Sequence, residues 1–275
     1  MKKNNAYFWP EWFYNSLPLN EHEKIQSKII KELNLANSYL WEALNIYDDF
    51  FDGQGKSSEL PKANNYYRNF LETYYRLNFN PDFYKLFNKI IDKLDAANRQ
   101  EIKNNHFKIG NGIVILPKKL PSFKDLTSLS KKSLILSAGP IAIYYLLKKS
   151  KIEIKAVYNF FRLVLSARQL ADDIFDWLDD LKNGSITAAN ILILKELKKQ
   201  KINLNIKKDE GFVLRLFIDK TSEKNYKDLK NLCQKSRAAL KQIGFTQNCQ
   251  LAKGLITPIE KNLSKAIYNK NHLIL

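Results

Sequence analysis

From Ile25 onward the apolar residues of this chain recur every three or four positions, and that period limits what it can fold into. Ile25, Ile29, Leu33, Ala36, Leu40, Ala43, Tyr47 and Phe51 share one face of a helix, whereas a strand would need alternation by two. The spacing predicts a helix over residues 20–52, stopped by Gly53-Gln54-Gly55. Further helices are expected over 63–77, 82–105, 123–149 and 153–181, and from an N-cap at Ser185 to about Lys201. The helix over 123–149 is expected to kink at Gly139-Pro140. Two or three more helices should fill 208–274, punctuated by Gly244 and Pro258. Residues 106–122 break the pattern with Gly110, Gly112, Pro117 and Pro121, and read as a long loop that can hold a β-hairpin around Ile113–Leu116.

Nine glycines and eight prolines in 275 residues are too few for a β-rich fold with many tight turns. No repeat and no polar linker divides the chain. The expectation is a single all-α domain over residues 1–275, a barrel or bundle of eight to ten helices with one long loop. Cys233 and Cys249 cannot staple a chain this long, and they form no CxxC pair. His22, His106 and His272 have no zinc spacing, so any metal here would be a hard cation held by carboxylates. The opening segment interrupts its apolar run with Pro10 and Glu11, unlike a secretory leader. The longest uncharged apolar run, Ser133 to Leu147, is shorter than the ~20 residues of a spanning helix. A cytoplasmic protein is expected.

The formal net charge is +17, from 45 basic and 28 acidic residues. Such an excess favours anionic partners. However, 38 of the basic residues are Lys and seven are Arg, they are spread along the whole chain, and Ile and Asn are also plentiful. Bidentate phosphate and base recognition uses Arg. The expectation is compositional bias rather than specific nucleic-acid binding, with a site for a small anion compatible with it. A peripheral membrane contact and a homodimer are also compatible with the sequence.

Two aspartate clusters stand out against this basic background. The first is Asp48-Asp49-Phe50-Phe51-Asp52. The second runs Asp172-Asp173-Ile174-Phe175-Asp176-Trp177-Leu178-Asp179-Asp180. Asp48 and Asp52 are i and i+4, and Asp172, Asp176 and Asp180 repeat that step twice, so each set shares one helix face. Val164, Ala167, Ala171, Ile174, Leu178 and Leu181 form a separate apolar stripe. Like charges at this spacing destabilise a helix, and negative charge near its C-terminus opposes the macrodipole. A divalent cation reverses both penalties. Magnesium takes oxygen ligands and bridges carboxylates to substrate phosphate.

With these motifs the chain resembles the class I isoprenoid synthases: prenyl diphosphate synthases, squalene/phytoene synthases and class I terpene cyclases. Asp48, Asp49 and Asp52 form a full DDxxD. Gln169-Leu-Ala-Asp172-Asp173-Ile-Phe-Asp176 matches the QxxDDxxD of prenyl diphosphate synthases. Asp172, Asp176 and Asp180 also fall at the positions of the cyclase metal triad. The resemblance implies an all-helical barrel in which two or three Mg²⁺ ions, held by Asp48, Asp52, Asp172, Asp176 and Asp180, grip the diphosphate of an allylic substrate. It implies that Asp48, Asp49, Asp52, Asp172, Asp173 and Asp176 are catalytic and that the two motifs face one cavity. Lys131, Lys132, Arg168, Gln169 and Lys182 are expected to bind diphosphate. Trp41, Tyr47, Phe50, Phe51, Phe161 and Phe175 are expected to line an apolar tunnel that keeps the carbocation from water.

The chain departs from the elongating synthases in two places. No arginine pair follows Asp52, where Gly53-Gln54-Gly55-Lys56-Ser57 stands, and no GKR precedes the motif, where Lys31-Glu-Leu-Asn-Leu stands. Lys56, Lys62 and Arg68 are candidate substitutes for the second diphosphate site. The leading expectation is a prenyltransferase joining a prenyl diphosphate to a second isoprenoid. The alternatives are a cyclase using one allylic diphosphate and a non-catalytic helical binding protein with vestigial motifs.

Overall fold

The computed structural model describes residues 5–51 and 53–273. The chain is all-α, 74% helix and 3% strand. In order, its elements are α1 (Trp9–Tyr14), α2 (Leu19–His22), α3 (Ser27–Phe51), α4 (Leu60–Arg76), α5 (Pro81–Asn104), β1 (Lys108–Gly110), β2 (Ile113–Ile115), α6 (Ala138–Leu146), α7 (Lys151–Phe175), α8 (Trp177–Lys182), α9 (Ile191–Gln200), α10 (Glu210–Leu216), α11 (Ser222–Gln242), α12 (Gln250–Leu255) and α13 (Thr257–Leu273). No helix among the described residues is long and apolar enough to cross a membrane.

Two compact units are built from interleaved segments. The first takes Met1–Leu94, Ser133–Phe161 and Arg237–Gly254; the second takes Asp95–Lys132, Arg162–Ser236 and Leu255–Leu275.

In the first unit α3 is central, with α4, α1 and α6 packed along it. Its buried residues are Ile30, Leu33, Ala36, Asn37, Leu40 and Ala43. Of the stripe expected from the spacing, Leu33, Ala36, Leu40 and Ala43 are buried on it, while Ile29 and Tyr47 are half-buried and Phe51 is exposed. Polar latches fix the N-terminal turns to this helix. Buried Asn37 donates from Nδ2 to the carbonyls of Ala6 (3.2 Å) and Leu136 (3.1 Å), and Asn34 and Glu11 exchange two hydrogen bonds. A ring cluster of Phe70, Tyr74, Phe79, Phe83 and Phe87 fills the space between α4 and the start of α5. Close approach is allowed by two glycines. A Cβ on Gly139 would lie 2.5 Å from Pro10 Cγ, and one on Gly254 would lie 2.1 Å from Trp12 Cζ3.

In the second unit β1 and β2 form a hairpin closed by Asn111-Gly112, both at positive φ (52° and 80°). That pair is the residue choice a type I′ turn demands. The hairpin base joins the segment after α8, where Phe107 N–H donates to Gly184 O (2.8 Å) and Ile186 N–H to Asn105 O (2.7 Å). A π-helical turn, Phe217–Thr221, joins α10 to α11. Phe217 in that turn stacks on Trp177, with centroids 4.2 Å apart and planes 5° apart.

Four expectations are corrected. Residues 123–149 are not one kinked helix: 3₁₀ turns occupy 126–132 and 134–137, and α6 begins at Ala138. Asp125 Oδ1 accepts from Thr127 N–H and Oγ1, while Ser128, Ser130 and Ser137 hydroxyls donate to carbonyls three residues back. These local bonds compete with an α-helical ladder. Pro140 then falls in the first turn of α6, where a missing N–H costs nothing. The helix expected over 153–181 is divided at Asp176 (φ −104°, ψ 7°) into α7 and α8. The helix expected from Ser185 begins at Ile191, because Asn190 accepts from Thr187 N–H and donates to Ser185 O in a preceding turn. Pro258, read as a break, lies in the first turn of α13.

Candidate functional site

The first aspartate motif lies in the first unit, at the end of α3. Asp48 and Asp49 are exposed in its last turn; Asp52 lies outside the described residues. The helix is closed by a tight return of the chain. Gln54 and Gly55 N–H both donate to Asp49 O (2.9 and 2.7 Å), and Gly53 N–H donates to Phe50 O with Gly53 at φ +72°. A Cβ on Gly55 would lie 2.7 Å from Phe50 N, so only glycine lets the loop fold back onto the helix end. Tyr47 OH donates to Asn64 Oδ1 of α4 (2.6 Å) and its ring stacks on Phe51. Phe50 and Phe51 are exposed and meet edge to face. Trp41 is half-buried one to two turns earlier. Lys56, Lys62 and Arg68 are exposed, with Lys62 4.0 Å from Glu59 and over the Tyr66 ring.

Phe161, expected in a tunnel, is fully buried in the first unit against Trp9, Phe13 and Phe160. Its ring is packed into a core cluster.

The second motif lies in the second unit, on the last turns of α7 and in α8. Two i to i−4 bonds span the break at Asp176: Asp176 N–H donates to Asp172 O (3.0 Å) and Asp180 N–H to Asp176 O (2.9 Å). Behind them Trp177 is buried on Phe217, which fixes the start of α8. Asp176 and Phe175 are exposed, while Asp172 and Asp180 are half-buried.

The two adjacent carboxylates of this motif differ in kind. Asp172 sits beside Arg168, with Nε to Oδ2 at 3.9 Å. Burial raises its pKa, the Arg168 charge opposes that shift, and the like charge of Asp176 adds to it. Arg168 is shifted down by burial, against the pull of Asp172. Asp173 is buried, and both its oxygens are committed: Gln169 Nε2 donates to Oδ1 (2.9 Å) and Ala188 N–H to Oδ2 (3.2 Å). Burial pushes its pKa up to about 7, in spite of those two bonds, with Asp172 and Glu101 adding to the rise. Asp173 thus ties α7 to the turn before α9.

The expected diphosphate ligands are spread through the second unit and mostly engaged. Lys132 Nζ lies 2.6 Å from Glu101, and Lys182 Nζ lies 2.9 Å from Glu210. Gln169 is held by Asp173 and Arg168 by Asp172. Lys131 is exposed. The 3₁₀ segment carrying Lys131 and Lys132 is tied to α7 by Ser130 N–H donating to Ser166 Oγ (3.2 Å) and Ser166 Oγ to Thr127 O (3.0 Å). Asp125, in the same segment, is held below the usual carboxylate range chiefly by its Thr127 hydrogen bond, with Arg162 and Lys131 adding. Glu101 and Glu210, the partners of the two lysines, carry no spacing signal in the sequence. Asp125 has one, since Asp-x-Thr is an Asx-turn pattern.

Asp172, Asp176 and Asp180 offer hard carboxylate oxygens, the donor type that magnesium takes. Among the described residues no group of three or more His, Cys, Asp or Glu side chains is placed so that it could hold a metal ion by itself. Magnesium that binds with substrate needs only one or two carboxylates, the rest of its shell coming from phosphate and water. No protein-family model matches the chain, and no curated protein matches it.

Proposed function

We propose that this protein is a magnesium-dependent prenyltransferase of the class I isoprenoid synthase type, ionising an allylic prenyl diphosphate and coupling it to a second isoprenoid. The observation that carries this reading is the row of carboxylates Asp172, Asp176 and Asp180 on successive turns, with Arg168 one turn before them. Bound magnesium would neutralise the leaving diphosphate. Asp172, Asp176 and Asp180 in the second motif are its proposed ligands, and Asp48 and Asp52 of the first motif are proposed as a further metal-binding group. Arg168 and Lys131 bring positive charge to the diphosphate oxygens. Asp173 and Gln169 hold the end of α7 in place, so that Asp172 stays on the ligand face. Phe50, Phe51 and Phe175 present exposed rings that can cover the allylic chain and turn π faces to its cation.

A cyclase that uses one allylic diphosphate is the second reading. The sequence Gly53-Gln54-Gly55-Lys56 favours it, because no arginine pair follows the first motif to hold a second diphosphate.

The test is incubation with geranyl, farnesyl or geranylgeranyl diphosphate, with and without isopentenyl diphosphate. The expected result is diphosphate release that needs magnesium, with a product heavier than the allylic substrate, and its loss in Asp48→Asn and Asp172→Asn. A hydrocarbon of unchanged carbon number would select the cyclase. No magnesium-dependent release from any substrate would leave a helical binding protein.

A further inference from the structure

The hairpin of the second unit carries an apolar plateau that the fold leaves uncovered. β2 is paired on both edges: with β1 in the register Lys108↔Ile115, Ile109↔Val114 and Gly110↔Ile113, and with the extended segment at Leu204–Ile206. In the second pairing Val114 N–H donates to Leu204 O (2.9 Å) and Ile206 N–H to Gly112 O (3.1 Å). Side chains alternate along a strand. Val114 points inward and is 9% exposed, so Ile113 and Ile115 point outward, where they are 40% and 55% exposed. The cross-strand partner of Ile113 is Gly110, which has no side chain to cover it. Ile115 lies over the same glycine, its Cδ1 3.2 Å from where a Gly110 Cβ would stand.

Exposed lysines lie next to this plateau along the chain. Lys108 is the exposed cross-strand neighbour of Ile115, Lys118 and Lys119 follow β2, and Lys207 and Lys208 follow the Leu204–Ile206 segment. Lys198 Nζ donates to the carbonyls of Pro117 and Lys118 and holds that segment in place. No Asp or Glu occurs from Ile102 to Lys124; on the paired segment Asp209 accepts from Asn205 N–H through Oδ2 (2.8 Å), and Glu210 pairs with Lys182.

We propose that this face docks on an anionic phospholipid bilayer, with Ile113 and Ile115 entering the headgroup boundary and the five lysines meeting lipid phosphates. Charge complementarity selects the partner. Each lysine near an anionic surface strengthens binding roughly fivefold, and isoleucines add affinity only where hydrocarbon receives them. Nucleic acid fits less well, because residues 108–119 contain neither Arg nor an aromatic ring to read or stack on a base. This inference does not depend on the prenyltransferase reading.

The test is co-sedimentation of the full chain with vesicles of phosphatidylcholine alone and of phosphatidylcholine with about 30% phosphatidylglycerol, at roughly physiological salt. Retention on the anionic vesicles is expected, and little on the neutral ones. Ile113→Thr with Ile115→Thr should weaken it at least about tenfold without lowering the melting temperature, since threonine keeps strand propensity. Lys118→Gln with Lys119→Gln lies outside the strands and should weaken binding and flatten its salt dependence. Equal retention of the isoleucine and lysine variants and the parent chain would overturn the proposal. So would equal retention on neutral vesicles, or displacement from anionic vesicles by a stoichiometric DNA or RNA duplex.

Discussion

Asp172 and Asp173 are neighbours in the chain with opposite expected responses to mutation. Replacing Asp173 with Ala strands the buried Ala188 N–H and the half-buried Gln169 Nε2. A loss of about 2 kcal/mol is expected, read from urea unfolding followed by circular dichroism. Asp172→Asn removes a half-buried charge that burial and Asp176 already disfavour, so stability should hold or rise slightly in the same assay. A collapse of Asp172→Asn together with an unchanged Asp173→Ala would reverse these assignments. The difference was partly legible in the sequence. Ser166, Leu170, Asp173 and Trp177 are spaced four, three and four, and all are buried. The stripe drawn through Val164, Ala167, Ala171 and Ile174 was correct but too narrow, because α7 buries more than one side and an aspartate does not announce itself as core. The Lys132–Glu101 and Lys182–Glu210 pairs were not legible, since both join residues far apart in sequence.

Among the helices, α3 was readable in its main buried face but not in its start, which is Ser27 rather than residue 20 because α2 takes Leu19–His22. The helix α5 was readable within a residue at each end because it buries one periodic face. The stretch 126–137 was not, because its bonds run from side chains to nearby carbonyls and leave no periodic trace. The start of α7 illustrates a cap that carries a pH signature. Ser150 N–H donates to Glu153 Oε2 (2.8 Å) and Glu153 N–H to Ser150 Oγ (3.3 Å), a reciprocal capping box. Ser150→Ala should cost about 1 kcal/mol in denaturant titration. The Glu153 pKa is lowered, first by its Ser150 hydrogen bonds and then by Lys149. Its contribution is therefore complete above the ordinary glutamate range and is lost as pH falls through the lowered value. Glu153→Gln should flatten that acid limb of the stability curve. An unchanged limb would show that the carboxylate is not what the helix start depends on.

At the scale of the whole molecule, each unit is assembled from three stretches of chain, and the first is closed by Trp12 lying on Gly254. The ring leaves no space for a methyl group. Gly254→Ala should cost at least about 2 kcal/mol by overpacking. Trp12→Leu should recover part of that loss when the two changes are combined, and the coupling is measurable in a double-mutant cycle. Additive losses would mean that the two positions do not share the contact. The same contact sets a timetable for biosynthesis. Ribosomes deliver about 5–20 residues per second, so Trp12 waits on the order of tens of seconds for its partner to be made. Throughout that interval the apolar surface around Trp12 lacks its last covering helix and is open to chaperones and proteases. Synthesis rate, as well as sequence, then governs how much of this protein reaches its native state.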